Sequence, residues 1–226
     1  MYRELKISTV IPCYNEAAGI RAVIEQIPDY VDEIVVVDNR STDGTADVAR
    51  SLGARVVYEG TQGYGAAYKA GLPAATGDVI TTLDGDGTYP AEEIGPLVDL
   101  LVDRELDFIS ASRFPMPDPG AMPLTNRIGN WVLTLATRVL YGHPIKDSQS
   151  GMWVFRRSIL HKLKLTSDGM PFSEEIKLEA LANKDVRFHE GQIPYRRRIG
   201  EVKLRRWRDG FENLSFLIRK RFGAVG

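Results

Sequence analysis

One cysteine, Cys13, stands among 226 residues. The chain therefore has no internal disulfide and no thiolate-based metal site, and a reducing compartment is its natural setting. Long apolar runs are missing too. No window approaches the roughly 18 consecutive apolar residues of a membrane span, so any membrane contact is expected to be peripheral. The N-terminus leads into the short apolar run 7–11 without the basic region, apolar stretch and cleavage site of a signal peptide. Nor does one sign of charge dominate: 29 Lys and Arg face 30 Asp and Glu, which excludes nucleic-acid binding driven by global charge and leaves any anionic partner to be bound locally. His143, His161 and His189 are scattered without metal-ligand spacing and give no reason for a zinc site.

What is present is an ordinary globular composition, 43% hydrophobic and 26% charged, in a length that suits one α/β domain. Apolar runs alternate with helical patterns. Residues 7–11, 34–37, 55–58, 79–83 and 108–111 read as strands, and 17–26, 45–52, 65–75 and 94–104 as helices. Such alternation predicts parallel βαβ units with right-handed crossovers. The stretch 115–123 is too rich in Pro and Gly for regular structure and reads as a mobile loop.

A helix is expected after that loop. Ile128, Trp131, Val132, Leu135, Ala136, Val139 and Leu140 fall on one stripe, opposite Asn126, Arg127, Asn130, Thr134 and Arg138. The stripe is expected to face the core, with an interfacial membrane helix as the alternative. Glu174, Glu175 and Glu179 lie on a helix after Pro171, where acids are commonly on the surface.

The chemistry is concentrated where strands end. Asn15 and Glu16 follow the first strand, Asp38 the second, and Asp84 with Asp86 the strand at 79–83. Ligands of open parallel sheets bind beyond the carboxyl ends of the strands, so these side chains should converge on one crevice. The spacing Asp84-Gly85-Asp86-Gly87 suits Mg2+ or Mn2+, which accept further ligands from a diphosphate; an acidic turn is the bland alternative. An EF-hand is excluded by the missing downstream acid. Asp38 is placed to accept hydrogen bonds from a base or ribose, whereas Asp43 reads as a helix cap. The stretch Gly60-Thr61-Gln62-Gly63-Tyr64-Gly65 opens a helix and could offer N–H groups to an anion. It follows the third strand and lacks the Lys-Ser/Thr ending of a P-loop, so neither the dinucleotide fingerprint nor Walker A applies.

Taken in order, VIPCYNE (10–16), VVVDNRSTDGT (35–45), GYGAAYKAG (63–71), GDVITTLDGDGTYP (77–90), SRF (112–114) and DSQSGMWVFRRSIL (147–160) resemble family 2 glycosyltransferases of the GT-A fold. Within them the chain is similar to the dolichyl-phosphate mannose synthase branch of polyprenyl-phosphate glycosyltransferases. The resemblance implies a GT-A catalytic domain over 1–195, with a donor half to about 114 and an acceptor half from 115. It implies a nucleotide pocket of Pro12, Tyr14, Glu16, Asp38 and Asn39, with Gly63 and Gly65 nearby, and Asp84 and Asp86 as metal ligands. Arg113 would face phosphate, and Arg127, Ser150, Arg197 and Lys203 would contact phosphate and acceptor. Asn39 departs from the second Asp of many relatives, and Thr88 from the Gln that mannose synthases often carry beside the metal. The chain stops at Gly226, where many relatives continue into transmembrane helices, so a naturally soluble or a truncated form is expected.

Inverting transfer from a GDP- or UDP-linked sugar by one in-line displacement follows from the same resemblance. A lipid monophosphate, with a second pKa of about 6, needs no base to remove a proton; a hydroxyl acceptor would need a carboxylate. Asp147 is the one candidate for that task, and a loop-capping acid is its other reading. The segment 196–226 favours the phosphate: from 196 to 221 it carries ten Arg and Lys against three acids, interleaved with Trp207, Phe211, Leu214, Phe216, Leu217 and Phe222. This pattern reads as an interfacial segment drawn to anionic lipid, with a solvated basic face as the alternative and no nucleic-acid motif beside it. The expectation is an enzyme at the cytoplasmic face of a membrane, with polyprenyl or dolichyl phosphate as acceptor. A sugar or small-molecule hydroxyl acceptor is the second reading, and a non-catalytic nucleotide-binding module the third.

Overall fold

The computed structural model describes residues 1–200 and 206–223. The apolar runs form β1 (Ile7–Cys13), β2 (Glu33–Asp38), β3 (Arg55–Tyr58), β4 (Val79–Thr82), β5 (Phe108–Ser112), β6 (Trp153–Arg156) and β7 (Phe188–Gln192). They make one sheet in the order β3-β2-β1-β4-β6-β5-β7. β6 runs antiparallel to β4 and β5, while the other pairs are parallel. Between the strands lie α1 (Ala17–Gln26), α2 (Thr45–Ser51), α3 (Tyr64–Ala74), α4 (Ile94–Asp103), α5 (Leu124–Tyr141) and α6 (Phe172–Ala182), and α7 (Arg206–Arg221) closes the described chain. The expected helix at 17–26 and strand at 55–58 match these bounds, and the other expected elements shift by only one or two residues at their ends.

Alternation along the buried strands feeds two cores, as expected for a sheet covered on both faces. Ile7, Ile11, Val36 and Val79 meet Ile20, Val23 and Ile24 of α1 and Ile94, Val98 and Leu101 of α4. On the other face Val10, Val35, Val37 and Ile80 meet Tyr68 and Leu72 of α3 and Phe172 and Ile176 of α6. Gly71 makes the α3 contact possible, because a Cβ there would lie 2.5 Å from Val37 Cγ2 and 2.7 Å from Val10 Cγ1.

Two expectations are corrected. The apolar stripe of α5 faces outward: Ile128, Trp131, Val132, Leu135 and Val139 are exposed, Trp131 by 65% and Val139 by 75%. The face turned inward carries Asn130, Thr134 and Thr137 with Leu133. It does so because the interior beneath it is polar: Asn130 donates to Asp147, and Thr134 shares hydrogen bonds with Ser148. Only Ala136 and Leu140 of the stripe are partly covered, where α5 packs on α7 through Leu133 and Leu217. Secondly, Glu174 and Glu175 are buried rather than on the surface. Glu175 accepts from the amides of Thr166 and Ser167 and from the Thr166 hydroxyl, which fixes the loop before α6. Glu174 accepts from Gln149, and burial pushes its carboxyl up to about 8.

Candidate active site

Strands β2, β1 and β4 lie side by side and parallel, so their ends deliver Asp38, Glu16 and the Asp84–Asp86 pair to one edge of the sheet. The turn after β1 is tied to the one after β2. Asn15, at φ 54°, accepts from the Thr42 amide at 2.7 Å, its own amide donates to Ser41, and the Glu16 amide donates to the Thr45 hydroxyl. Asp43 accepts from the amides of Ala17 and Thr45, the first residues of α1 and α2, although the N-cap position of α2 itself is Gly44 rather than Asp43. Asp38 accepts from the Ser41 amide.

Asp84 is partly buried beside Tyr64, whose hydroxyl reaches it at 3.4 Å. Burial, then repulsion from Asp86, pushes its carboxyl up to about 7 against the opposing pull of Arg198 and Arg113. Asp86 is held by Thr88, whose amide and hydroxyl both donate to Oδ1, and its Oδ2 pairs with Arg198, which also pairs with Glu16. Thr88 thus fixes the orientation of Asp86. Two carboxylates close enough to raise one pKa are a donor set suited to a hard divalent cation whose other ligands are water and substrate phosphate. Among the described residues no group of three His, Cys, Asp or Glu side chains could hold a metal.

Beneath these acids sits a buried pair. Arg113 donates from Nε to Asp147 Oδ2 at 2.7 Å, from Nη2 to Oδ1 at 2.8 Å and from its amide to Oδ2 at 3.1 Å. Asn130 adds a fourth hydrogen bond to Asp147 at 3.0 Å. The guanidinium lies 5.2 Å from the Tyr195 ring centre. Although burial alone would raise it, Arg113 holds Asp147 down to about 2. A carboxylate so strongly stabilised as the anion, with both oxygens engaged, is a poor proton acceptor. The geometry makes Asp147 the anchor of Arg113 rather than a base. Ser150, also buried, donates its hydroxyl to the Ala111 carbonyl. Lys177, absent from the sequence reading, donates to the Asp147 and Ser150 carbonyls, and burial lowers its ammonium to about 8.

Other expected site residues are placed differently. Asn39 donates to the carbonyls of Glu59 and Thr61 and accepts from the Gly63 amide, so its side chain pins the 59–63 loop and is spent on the backbone. The amides of Gly65 and Ala66 donate to the carbonyls of Gly169 and Asp168, not toward an anion. A Cβ at Gly63 or Gly65 would come within 2.2 Å of the Asp168 or Ser167 carbonyl, so these glycines serve close packing. Arg197 points away: it is 76% exposed and pairs with Asp118 at 3.6 Å. Arg198, one residue on, turns inward because Tyr195 packs against Tyr89 and sets the register of the run. Pro12 is partly buried on β1 beside Val37; Tyr14 is 39% exposed at the rim and Arg127 is partly exposed on the first turn of α5. Lys203 lies outside the described residues. The run of three arginines marked Arg198, but no sequence periodicity chose among its members.

A seven-stranded, mostly parallel sheet whose strand ends present an Asp-x-Asp pair defines the GT-A type of nucleotide-sugar-dependent fold. Residues 8–164 match the sequence model of Glycosyl transferase family 2, and the chain belongs to that family. It is 36% identical over 201 residues to the dolichyl-phosphate hexose transferase of Haloferax volcanii, covering 88% of this chain and 86% of that protein. It is 35% identical over 219 residues to the low-salt glycan biosynthesis hexosyltransferase Agl6 of the same organism, covering 94% of this chain but 53% of the relative, so it spans about half of that protein's length. Glucosyl-3-phosphoglycerate synthase from Mycobacterium tuberculosis, solved with uridine diphosphate, shares the fold at a TM-score of 0.76 and 23% identity, over 97% of this chain and 81% of that one.

Proposed function

We propose that the protein transfers a hexose or N-acetylhexosamine from a GDP- or UDP-linked sugar to a polyprenyl or dolichyl phosphate, with inversion at the anomeric carbon. The observation that carries the donor half is the Asp84–Asp86 pair at the end of β4, beside Glu16 and Asp38. Asp84 and Asp86 would hold Mg2+ or Mn2+, which neutralises charge on the departing diphosphate. Arg198 and Arg113 both lie near enough to Asp84 to oppose the rise of its pKa, and so add positive charge beside the pair.

The acceptor half rests on what the buried carboxylate does. Asp147 is engaged by Arg113 and Asn130, which favours an acceptor that arrives already ionised, as a phosphate monoester does near neutral pH. Relatives named for dolichyl phosphate support the same choice. The test is a transfer assay with a panel of UDP- and GDP-sugars, with and without Mn2+, offering polyprenyl phosphate and a soluble hydroxyl acceptor in parallel. Product on the lipid is expected; product only on the hydroxyl would keep the donor site and discard the acceptor.

A lipid acceptor has to be met at a bilayer, and we assign peripheral contact at the cytoplasmic face to the outward side of α5 with the basic, aromatic C-terminal segment. Exposed Ile128, Trp131, Leu135 and Val139 on α5, Phe211 on α7 and Phe222 just after it form the apolar part, and Arg219 and Arg221 lie on the last turn of α7. No helix among the described residues is long and apolar enough to cross a membrane. The variant W131E/V139E is expected to bind vesicles containing anionic lipid at least about tenfold more weakly than wild type, because each large apolar side chain withdrawn from the interface forfeits on the order of 1.5–3 kcal/mol. Co-sedimentation checks this, and undiminished binding would remove α5 from the contact.

A further inference from the structure

Asp86 is doubly committed. Thr88 takes one oxygen through two hydrogen bonds, and Arg198 takes the other. Arg198 arrives on a strap laid directly over the acidic loop. The Arg196 amide donates to the Thr88 carbonyl at 2.9 Å and the Ile199 amide to the Asp86 carbonyl at 2.8 Å. Arg196 is anchored further by Gln26 and Glu92. The Ile199 side chain covers Gly87, where a Cβ would lie 3.0 Å from Ile199 Cδ1. The guanidinium therefore bridges two acids from different strand ends, Glu16 after β1 and Asp86 after β4, in the place where a divalent cation would take charge from Asp86.

We propose that Arg198 is an exchangeable internal cation: in the unliganded protein it occupies Asp86 and Glu16 and holds the strap closed, and a divalent metal ion binds by displacing it from Asp86. This rests on the reading of Asp84 and Asp86 as metal ligands. The physical reason is competition for one carboxylate oxygen. Thr88 fixes the orientation of Asp86 from within its own loop, so the contact that can be given up at least structural cost is the one to the strap. Two cations that compete for one oxygen are coupled, and the coupling is reciprocal: what weakens the guanidinium contact strengthens metal binding, and metal loosens the strap.

Two measurements on the whole chain test it, with Mn2+ alone as the probe and no nucleotide. In the first, Mn2+ binding is followed by electron paramagnetic resonance for wild type, R198M and D86N. R198M is expected to bind Mn2+ at least about fivefold more tightly than wild type, the lower end of typical coupling between linked sites. D86N is expected to lose binding. In the second, hydrogen exchange at the Ile199 amide of the wild-type protein is expected to speed at least about fivefold when Mn2+ saturates, because the strap hydrogen bonds open. A guanidinium that merely repelled metal from a distance would leave that amide protected. Unchanged Mn2+ binding in R198M, or an Ile199 amide that stays protected while D86N loses binding, overturns the exchange and leaves the metal site standing. Equal Mn2+ binding in D86N and wild type overturns the metal site itself.

Discussion

Replacing Asp86 by alanine is expected to lower kcat/KM for sugar transfer by about a hundredfold to a thousandfold, the range for removing one preorganised group that stabilises transition-state charge. The substitution removes one of two carboxylates at the end of β4 and frees Thr88 and Arg198 from their shared partner. It also relieves Asp84 of the second largest cause of its raised pKa. Stability should change little, because the repulsion between Asp84 and Asp86 disappears together with the Arg198 contact. Steady-state kinetics beside a thermal melt separate the two effects. A folded D86A protein with substantial transfer activity would refute the donor-site assignment.

The second large effect is on folding. Arg113→Met is expected to destabilise the protein by about 3–5 kcal/mol, the usual cost of stranding one partner of a buried ion pair. For a chain of this size that corresponds to a Tm lower by on the order of 10 °C. Its pH signature is distinctive. In wild type Asp147 is held down to about 2, below its unfolded value of 3.8, so the pair contributes its full stability above about pH 4 and loses it as the pH falls through about 2. Without Arg113, burial dominates and raises the Asp147 carboxyl. The variant should then lose stability as the pH rises above the unfolded value, which reverses the slope. Denaturant melts between pH 3 and 7 check both slopes. The double variant R113M/D147N should recover part of the loss, since removing both charges avoids the stranded one.

These two outcomes bear on residues that the sequence marked in different ways. Asp84 and Asp86 follow a short apolar run and are separated by a glycine, a local pattern that survives folding unchanged because strand ends in a parallel sheet point to the ligand edge. Asp147 and Arg113 were legible as chemistry-bearing residues but not as partners. They lie 34 residues apart, and their pairing depends on β6 inserting antiparallel between β4 and β5, which no local periodicity encodes. Asn39 likewise follows a strand directly after Asp38, yet its amide group is drawn to the 59–63 backbone by the turn of the chain after β3.

The helix α5 marks the boundary most sharply. Its stripe is fully readable at period 3.6, but periodicity reports only that two faces differ, and not which one the rest of the molecule will cover. The tertiary structure turned the polar face inward because Asp147, Ser148 and the loop around them need hydrogen-bond partners there. The register of the arginine run was decided in the same way, by tertiary packing of Tyr195 on Tyr89 that sends Arg198 to Glu16 and Asp86 and leaves Arg197 in solvent. By itself the sequence determined the alternating α/β fold and the acidic strand ends, since both follow from short-range patterns of burial and turn chemistry. Only the tertiary structure decided which charges neutralise one another and which apolar face stays uncovered, because those outcomes depend on contacts between segments far apart in the chain, where burial, not sequence proximity, sets the energy.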